Sequence, residues 1–121
     1  MLEFIGIGFD KAIAYRIGGK ITEEDMTSAM SLFKEKIDNG EKLILYQEIV
    51  SIGGVEFDAM VEKLKFLSEV GFSHFSKVAI VTDKKWLNKI VDIEDKLFKN
   101  IDIKGFPIGE KDKAIEFLKA P

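Results

Sequence analysis

The 121-residue sequence lacks cysteine altogether, and this absence removes several kinds of chemistry together. Disulfides, thiolate nucleophiles and sulfur-ligated zinc or iron–sulfur centres all require cysteine. The single histidine, His74, cannot by itself supply the imidazole clusters that are typical of transition-metal sites. We therefore expect neither a metal site nor a cofactor in this chain.

An excess of positive charge is also missing. The 18 lysines and arginines are outnumbered by 21 acidic residues, and the net charge is −3. Dedicated nucleic-acid binders normally carry a basic stripe, so we expect no nucleic-acid partner. Apolar runs are too short to span a bilayer, and the N-terminal segment has no basic region of the kind that begins a signal peptide. These patterns predict a cytoplasmic protein without a membrane span.

Low-complexity stretches and flexible linkers are absent as well, and Pro107 and Pro121 are the only prolines. A chain of this length is of the usual size for one domain. We therefore predict a single domain over residues 1–121.

The pattern of apolar residues predicts an initial hairpin followed by alternating strands and helices. Residues 2–7 and 12–17 are the hairpin strands, and 8–11 have turn composition. Apolar runs at 43–46, 77–81 and 101–103 predict three further strands. Helical periodicity follows Thr22, an N-cap candidate, and recurs over 55–70, 86–98 and 110–119. This order predicts an α/β fold with a mostly parallel five-stranded sheet, an N-terminal hairpin and four helices.

Four segments carry a resemblance to a known family. They are Gly18-Gly19-Lys20 after the second strand, Leu45-Tyr46, the pattern A-x-V-T-D-x-x-W-L at residues 79–87, and Phe106-Pro107 before the final helix. Over essentially its whole length the sequence resembles the SpoIIAA-like branch of the STAS superfamily, whose members are also called STAS/CRAL-TRIO-like. The resemblance implies the fold predicted above.

A site is expected at the carboxyl ends of the parallel strands, where open parallel sheets bind ligands. The ligand- or partner-binding candidates are Gly19, Ser51, Gly53, Gly54, Thr82, Asp83, Trp86 and Ile90. Gly53 and Gly54 are able to present backbone N–H groups to an anion, although tight turns between strand and helix also favour glycine, and we prefer that explanation. Asp83 has no histidine or second carboxylate placed as a partner, and an N-cap is the better interpretation of it.

The third predicted helix carries the broadest apolar surface of the sequence, which includes Trp86 and Ile90. Three explanations compete for this surface: a deeper core, a dimer or partner interface, and the wall of an apolar ligand pocket. Core packing is our first choice, and self-association as a homodimer is the second.

The resemblance bears on two further possibilities. In better-known STAS domains a kinase phosphorylates a serine at the start of the second helix. Here Gly53-Gly54 occupy the expected place, and Ser51 is the nearest phosphoacceptor candidate. The CRAL-TRIO side of the resemblance implies a small apolar or lipid-like ligand.

These patterns contain no catalytic constellation, and we predict no catalytic residue. The leading hypothesis is a non-enzymatic protein-interaction or ligand-binding module that binds a protein partner or itself. One alternative is a carrier of a small apolar or lipid-like ligand. Another is a phospho-regulated switch, similar to an anti-sigma-factor antagonist, that uses Ser51.

Overall fold

The computed structural model describes residues 2–18, 22–40, 42–50, 75–83 and 102–120. The strands in these ranges are β1 (Leu2–Phe4), β2 (Ala12–Gly18), β3 (Leu43–Val50), β4 (Phe75–Thr82) and β5 (Asp102–Pro107). The helices are α1 (Glu23–Asp38), a 3-10 helix (Ile108–Glu110) and α2 (Lys111–Lys119). The helices predicted over 55–70 and 86–98 lie outside the described residues.

Helix α1 begins where the sequence predicts it, at the N-cap Thr22. The Thr22 hydroxyl accepts a hydrogen bond from the backbone N–H of Asp25, and the Asp25 carboxylate accepts one from the backbone N–H of Thr22. This reciprocal capping box satisfies two N–H groups that the helix itself leaves unpaired. Gly40, with a φ of 76°, follows the helix in the left-handed region that favours glycine.

The five strands form one sheet in the order β1-β2-β3-β4-β5. Strand β1 pairs with β2 in the antiparallel sense, and the other three pairs are parallel. The prediction of a mostly parallel five-stranded sheet with an N-terminal hairpin is therefore confirmed. The parallel strands follow one another in both sequence and space.

Several strand boundaries differ from the sequence-based expectation, and β4, for example, runs from Phe75 to Thr82 rather than over 77–81. Strand β1 ends at Phe4, so a connection of seven residues, 5–11, leads to β2. Strand β3 continues past Tyr46 to Val50, and β5 continues past Ile103 to Pro107. The part of β3 beyond the predicted apolar run 43–46 includes the polar residues Gln47 and Glu48. A proline at the last position of an edge strand is tolerated, because its missing N–H need not serve the neighbouring strand.

The sheet has two differently covered faces. We call them the α2 face, which packs against α2, and the α1 face on the other side. The core of the α2 face consists of Ala14, Tyr46, Ala79, Val81, Phe106, Ala114 and Leu118. The α1 face carries the alternate strand residues, which include the buried Ile13, Tyr15, Ile17, Leu45, Ile49, Val78 and Ile80. Helix α1 contacts β3 and buries Ala29 and Phe33, neither of which belongs to the α2-face core.

The carboxyl-terminal end of α2 is fixed to the sheet by Lys77 of β4. The Lys77 ammonium donates to the backbone carbonyls of Phe117 and Ala120, at 2.8 and 2.6 Å. It also lies 4.8 Å from the centroid of the Phe117 ring. A cation at this end of a helix interacts favourably with the helix dipole and satisfies carbonyls that have no partner within the helix.

Candidate functional site at the carboxyl edge of the sheet

The carboxyl ends of the parallel strands form one row, which is where the sequence predicts a site. Gly18 pairs with Val50 at one end of the row, and Thr82 pairs with Pro107 at the other. Strand order follows chain order along this row. The described strands therefore contain no topological switch point, the feature that usually creates a ligand crevice in such sheets.

Of the predicted site residues, Thr82 and Asp83 lie within the described ranges. The other six lie outside them: Gly19, Ser51, Gly53, Gly54, Trp86 and Ile90. Thr82 is the last residue of β4, and Asp83 follows it with an exposed side chain. The prediction that either residue caps a third helix stays a prediction, because that helix lies outside the described residues.

Thr82 is the more unusual of the two. It is fully buried, and its side chain belongs to the α1 face because it alternates with Val81 of the α2-face core. Among the described residues, its Oγ1 is the buried side-chain atom that has no hydrogen-bond partner. Leaving a buried hydroxyl unpaired costs about 1–3 kcal/mol. An unpaired hydroxyl at this edge of the sheet therefore marks a position where a polar atom of a ligand or partner would complete a hydrogen bond.

A second polar feature at this edge was not predicted from the sequence. The carboxylate of Glu48 lies on the α2 face of β3, two residues before the strand ends, with only 2% of its side chain exposed. Arg16 of β2 donates from Nε to its Oε2 atom. Lys111, the first residue of α2, lies with its Nζ 2.8 Å from Oε1, and the Tyr46 hydroxyl donates to the same oxygen at 3.3 Å. We call Glu48, Arg16, Lys111 and Tyr46 the Glu48 network.

The cationic groups of this network reach the solvent although the carboxylate does not. The side chains of Arg16 and Lys111 are 36% and 44% exposed. Arg16 also approaches Glu3 of β1, with 3.9 Å between Nη1 and Oε2, and the Glu3 side chain is 57% exposed. The network thus extends from a buried anion outward through two partly hydrated cations.

Burial and charge act in opposite directions on Glu48. Burial acts to raise the pKa of its carboxyl group, but hydrogen bonds from Lys111 and Arg16, and their positive charges, outweigh it. The pKa therefore lies below its ordinary value of 4.5, and Glu48 is an anion at neutral pH. In turn, the hydrogen bond to Glu48 and its negative charge raise the pKa of Arg16.

Tyr15 and Gln47 form a neutral counterpart on the α1 face. The Gln47 side-chain amide donates to the Tyr15 hydroxyl at 3.0 Å, and both side chains are buried. Burial is the main cause that raises the pKa of Tyr15 above its ordinary value, and the hydrogen bond from Gln47 opposes it. Adjacent residues of β3 thus place a neutral pair on one face and a charged network on the other.

The sequence does contain one signal for the Glu48 network. Lys111 lies in the first turn of a helix, where the helix dipole disfavours a cation. Such a lysine implies a compensating carboxylate elsewhere. The matching clue is Glu48 itself, the one charged residue of a mostly apolar strand.

Comparison with known families supplies the remaining observation. The model of the SpoIIAA-like family matches residues 12–119, which covers β2 through α2. The chain belongs to the SpoIIAA-like family. The resemblance carried by the Thr82-Asp83 segment and by Phe106-Pro107 is therefore confirmed. Comparisons with curated proteins and with solved structures give no significant match.

The described part of this SpoIIAA-like domain contains no metal-binding cluster and no helix able to span a membrane. Within those ranges, no three histidine, cysteine or acidic side chains come together as a metal-binding group would require. Nor is any described helix long and apolar enough to cross a bilayer.

Proposed function

We propose that this SpoIIAA-like domain is a non-enzymatic binding module, and that it engages its ligand or protein partner at the carboxyl edge beside Thr82 and Asp83. The observation that carries the proposal is the Thr82 hydroxyl, which is fully buried and has no partner among the described residues. Buried polar groups in native proteins are nearly always paired, so such an exception calls for an explanation. A bound polar group that completes the missing hydrogen bond is one.

The Glu48 network supports binding rather than catalysis. A general base works best when its pKa lies near the operating pH and when its oxygen is free to take a proton. In Glu48 both oxygens are engaged, and the pKa is lowered. This carboxylate is suited to holding β2, β3 and α2 together beside the binding edge.

The alternative functions depend on residues that lie outside the described ranges. Trp86 and Ile90, on which a carrier of an apolar ligand depends, lie outside the described ranges. Ser51 also lies outside them, directly after Val50 at the end of β3. A phosphate switch at Ser51 and a homodimer through the third helix stay predictions, as does a cytoplasmic location.

A threonine-to-valine exchange tests the proposal, because valine has nearly the same shape but no hydroxyl. We expect Thr82→Val to raise the free energy of unfolding by about 1–2 kcal/mol, since it removes an unpaired buried hydroxyl. We also expect it to weaken binding. Opposite changes in stability and binding would identify the hydroxyl as a binding group rather than a structural one.

Native mass spectrometry of protein purified gently from its host measures the binding part, and chemical cross-linking before lysis captures a protein partner. The proposal predicts a retained mass or cross-linked partner for the wild type that Thr82→Val diminishes and Thr82→Ser keeps, because serine retains the hydroxyl. A clean unliganded mass together with no cross-linked partner would overturn the proposal. Equal retention by the valine variant would also overturn it.

A further inference from the structure

Strand β5 lies at one end of the sheet that the described strands form. It pairs with β4 on one side, and among the described strands none pairs with the other side. The opposite end of the sheet is different, because β1 is only three residues long. A six-residue edge strand is a template for pairing with another chain.

The proline at the end of β5 fixes which backbone groups face outward. In a parallel pair, one residue of each opposed couple supplies both backbone bonds, and Pro107 has no N–H to supply. Thr82 must therefore be that residue in the couple with Pro107. Along a regular ladder, the N–H and C=O groups of Asp102, Lys104 and Phe106 then serve β4, and those of Ile103 point away from it.

The exposed side chains of β5 are arranged as a self-complementary pair. Asp102 and Lys104 are both exposed, and they lie two residues apart on the same face of the strand. Neither has an ion-pair partner among the described residues, although the Lys104 ammonium lies 5.4 Å from the centroid of the Phe106 ring. A second β5, running antiparallel, would present the same two charges in reverse order.

We propose that two copies of this chain pair through their β5 edges, antiparallel and centred on Ile103. In this register Ile103 exchanges both backbone hydrogen bonds with Ile103 of the second copy. Asp102 then lies directly opposite Lys104 of the second copy, and the twofold axis repeats the pair. A register centred on Lys104 would place two lysines opposite each other, and one centred on Gly105 would place Lys104 opposite Phe106. Of these registers, only the one centred on Ile103 sets Asp102 opposite Lys104.

This pairing uses a surface separate from the carboxyl edge and therefore does not depend on the proposed function. A pairing of two short strands buries little area, and we expect a reversible dimer rather than an obligate one. Its dissociation is therefore to be followed by sedimentation velocity from roughly 1 μM to 1 mM protein at low salt.

Charge reversal at the two positions provides the test. In Asp102→Lys and in Lys104→Asp, both attractive pairs become repulsive, and we expect each variant to dissociate roughly tenfold more readily than the wild type. The double variant D102K/K104D restores two attractive pairs with the signs exchanged, so its dimerisation should return to the wild-type level. The two single variants, mixed in equal amounts, should form a heterodimer, because each supplies the charge that the other now needs.

Matched controls carry the same charge changes away from this edge. Asp112→Lys on α2 and Lys34→Asp on α1 alter exposed side chains and should leave dimerisation unchanged. Thermal unfolding verifies that every variant is folded. A wild-type chain that stays monomeric throughout the concentration range would overturn the proposal. So would a dimer that the single reversals leave intact, or one that the double variant and the mixture fail to restore.

Discussion

The two faces of the sheet differ in how they pair a buried polar side chain. Each hides one polar side chain of β3, Gln47 on the α1 face and Glu48 on the α2 face, and each draws a partner from β2. The neutral amide donates to one buried hydroxyl, that of Tyr15. The carboxylate requires two cations and a hydroxyl, and its cations remain partly hydrated. Burying a charge thus demands more partners, and a path to water, than burying an amide does.

Removing the buried charge is expected to have the largest effect. Glu48→Ala eliminates both ion pairs and leaves a cavity, and we expect it to lower the free energy of unfolding by about 3 kcal/mol. This is the low end of the range for breaking a buried pair, because Arg16 and Lys111 are free to turn toward water. Chemical denaturation measures the loss.

Glu3→Gln is the matched control for that substitution, because Glu3 approaches the same Arg16 from the exposed side. We expect a change within about 0.5 kcal/mol, as is typical of a surface pair. Equal effects of the two substitutions would show that burial does not distinguish these carboxylates.

Breaking the neutral pair should cost less. Tyr15→Phe keeps the buried ring but deprives the Gln47 amide of its acceptor, and we expect a loss of about 1.5 kcal/mol. The double variant Tyr15→Phe/Gln47→Leu removes both polar groups and should recover most of that loss. A double variant less stable than Tyr15→Phe would contradict the view that the hydrogen bond mainly serves to satisfy the amide.

We expect the smallest difference between the two faces in how acid changes the free energy of unfolding. The pKa of Glu48 is lowered by folding, so its contribution to stability is complete above about pH 4.5 and is lost as the pH falls through the folded-state pKa. This adds a slope of at most about 1.4 kcal/mol per pH unit. Urea titrations at pH 2 to 6 should show a shallower slope for Glu48→Gln than for the wild type.

Tyr15→Phe should leave that acid slope unchanged, because the raised pKa of Tyr15 matters only in alkali. Its contribution is complete below pH 10.0 and is lost as the pH rises further. An acid slope that is the same with and without Glu48 would mean that other carboxylates control unfolding in acid.

Sequence patterning predicted the succession of strands along the chain and their mostly parallel sense, because the succession follows from local periodicity and the parallel sense from the alternation of strands and helices. The N-cap Thr22 was predicted for the same reason, since a cap depends on residues three positions apart. The Glu48 network was missed because it is not local. Arg16 lies 32 residues from Glu48, and Glu48 itself lies beyond the apolar run 43–46 that predicted β3.

The candidate site was likewise predicted only where local patterns were sufficient. The carboxyl edge and Thr82 were predicted from the rule for parallel sheets, but that the Thr82 hydroxyl is buried without a partner depends on packing around it. Such packing involves neighbouring strands and leaves no pattern in the sequence. The single domain over residues 1–121 and the remaining site residues stay predictions.

The Glu48 network also bears on the order in which the chain assembles. It joins β2, β3 and α2, so it is completed only when α2, from the far end of the sequence, reaches the sheet. Closing such a long loop costs conformational entropy before its contacts form. Interactions completed that late affect the rate of unfolding more than the rate of folding. We therefore expect substitutions at Lys111 of α2 to change the rate of unfolding more than the rate of folding.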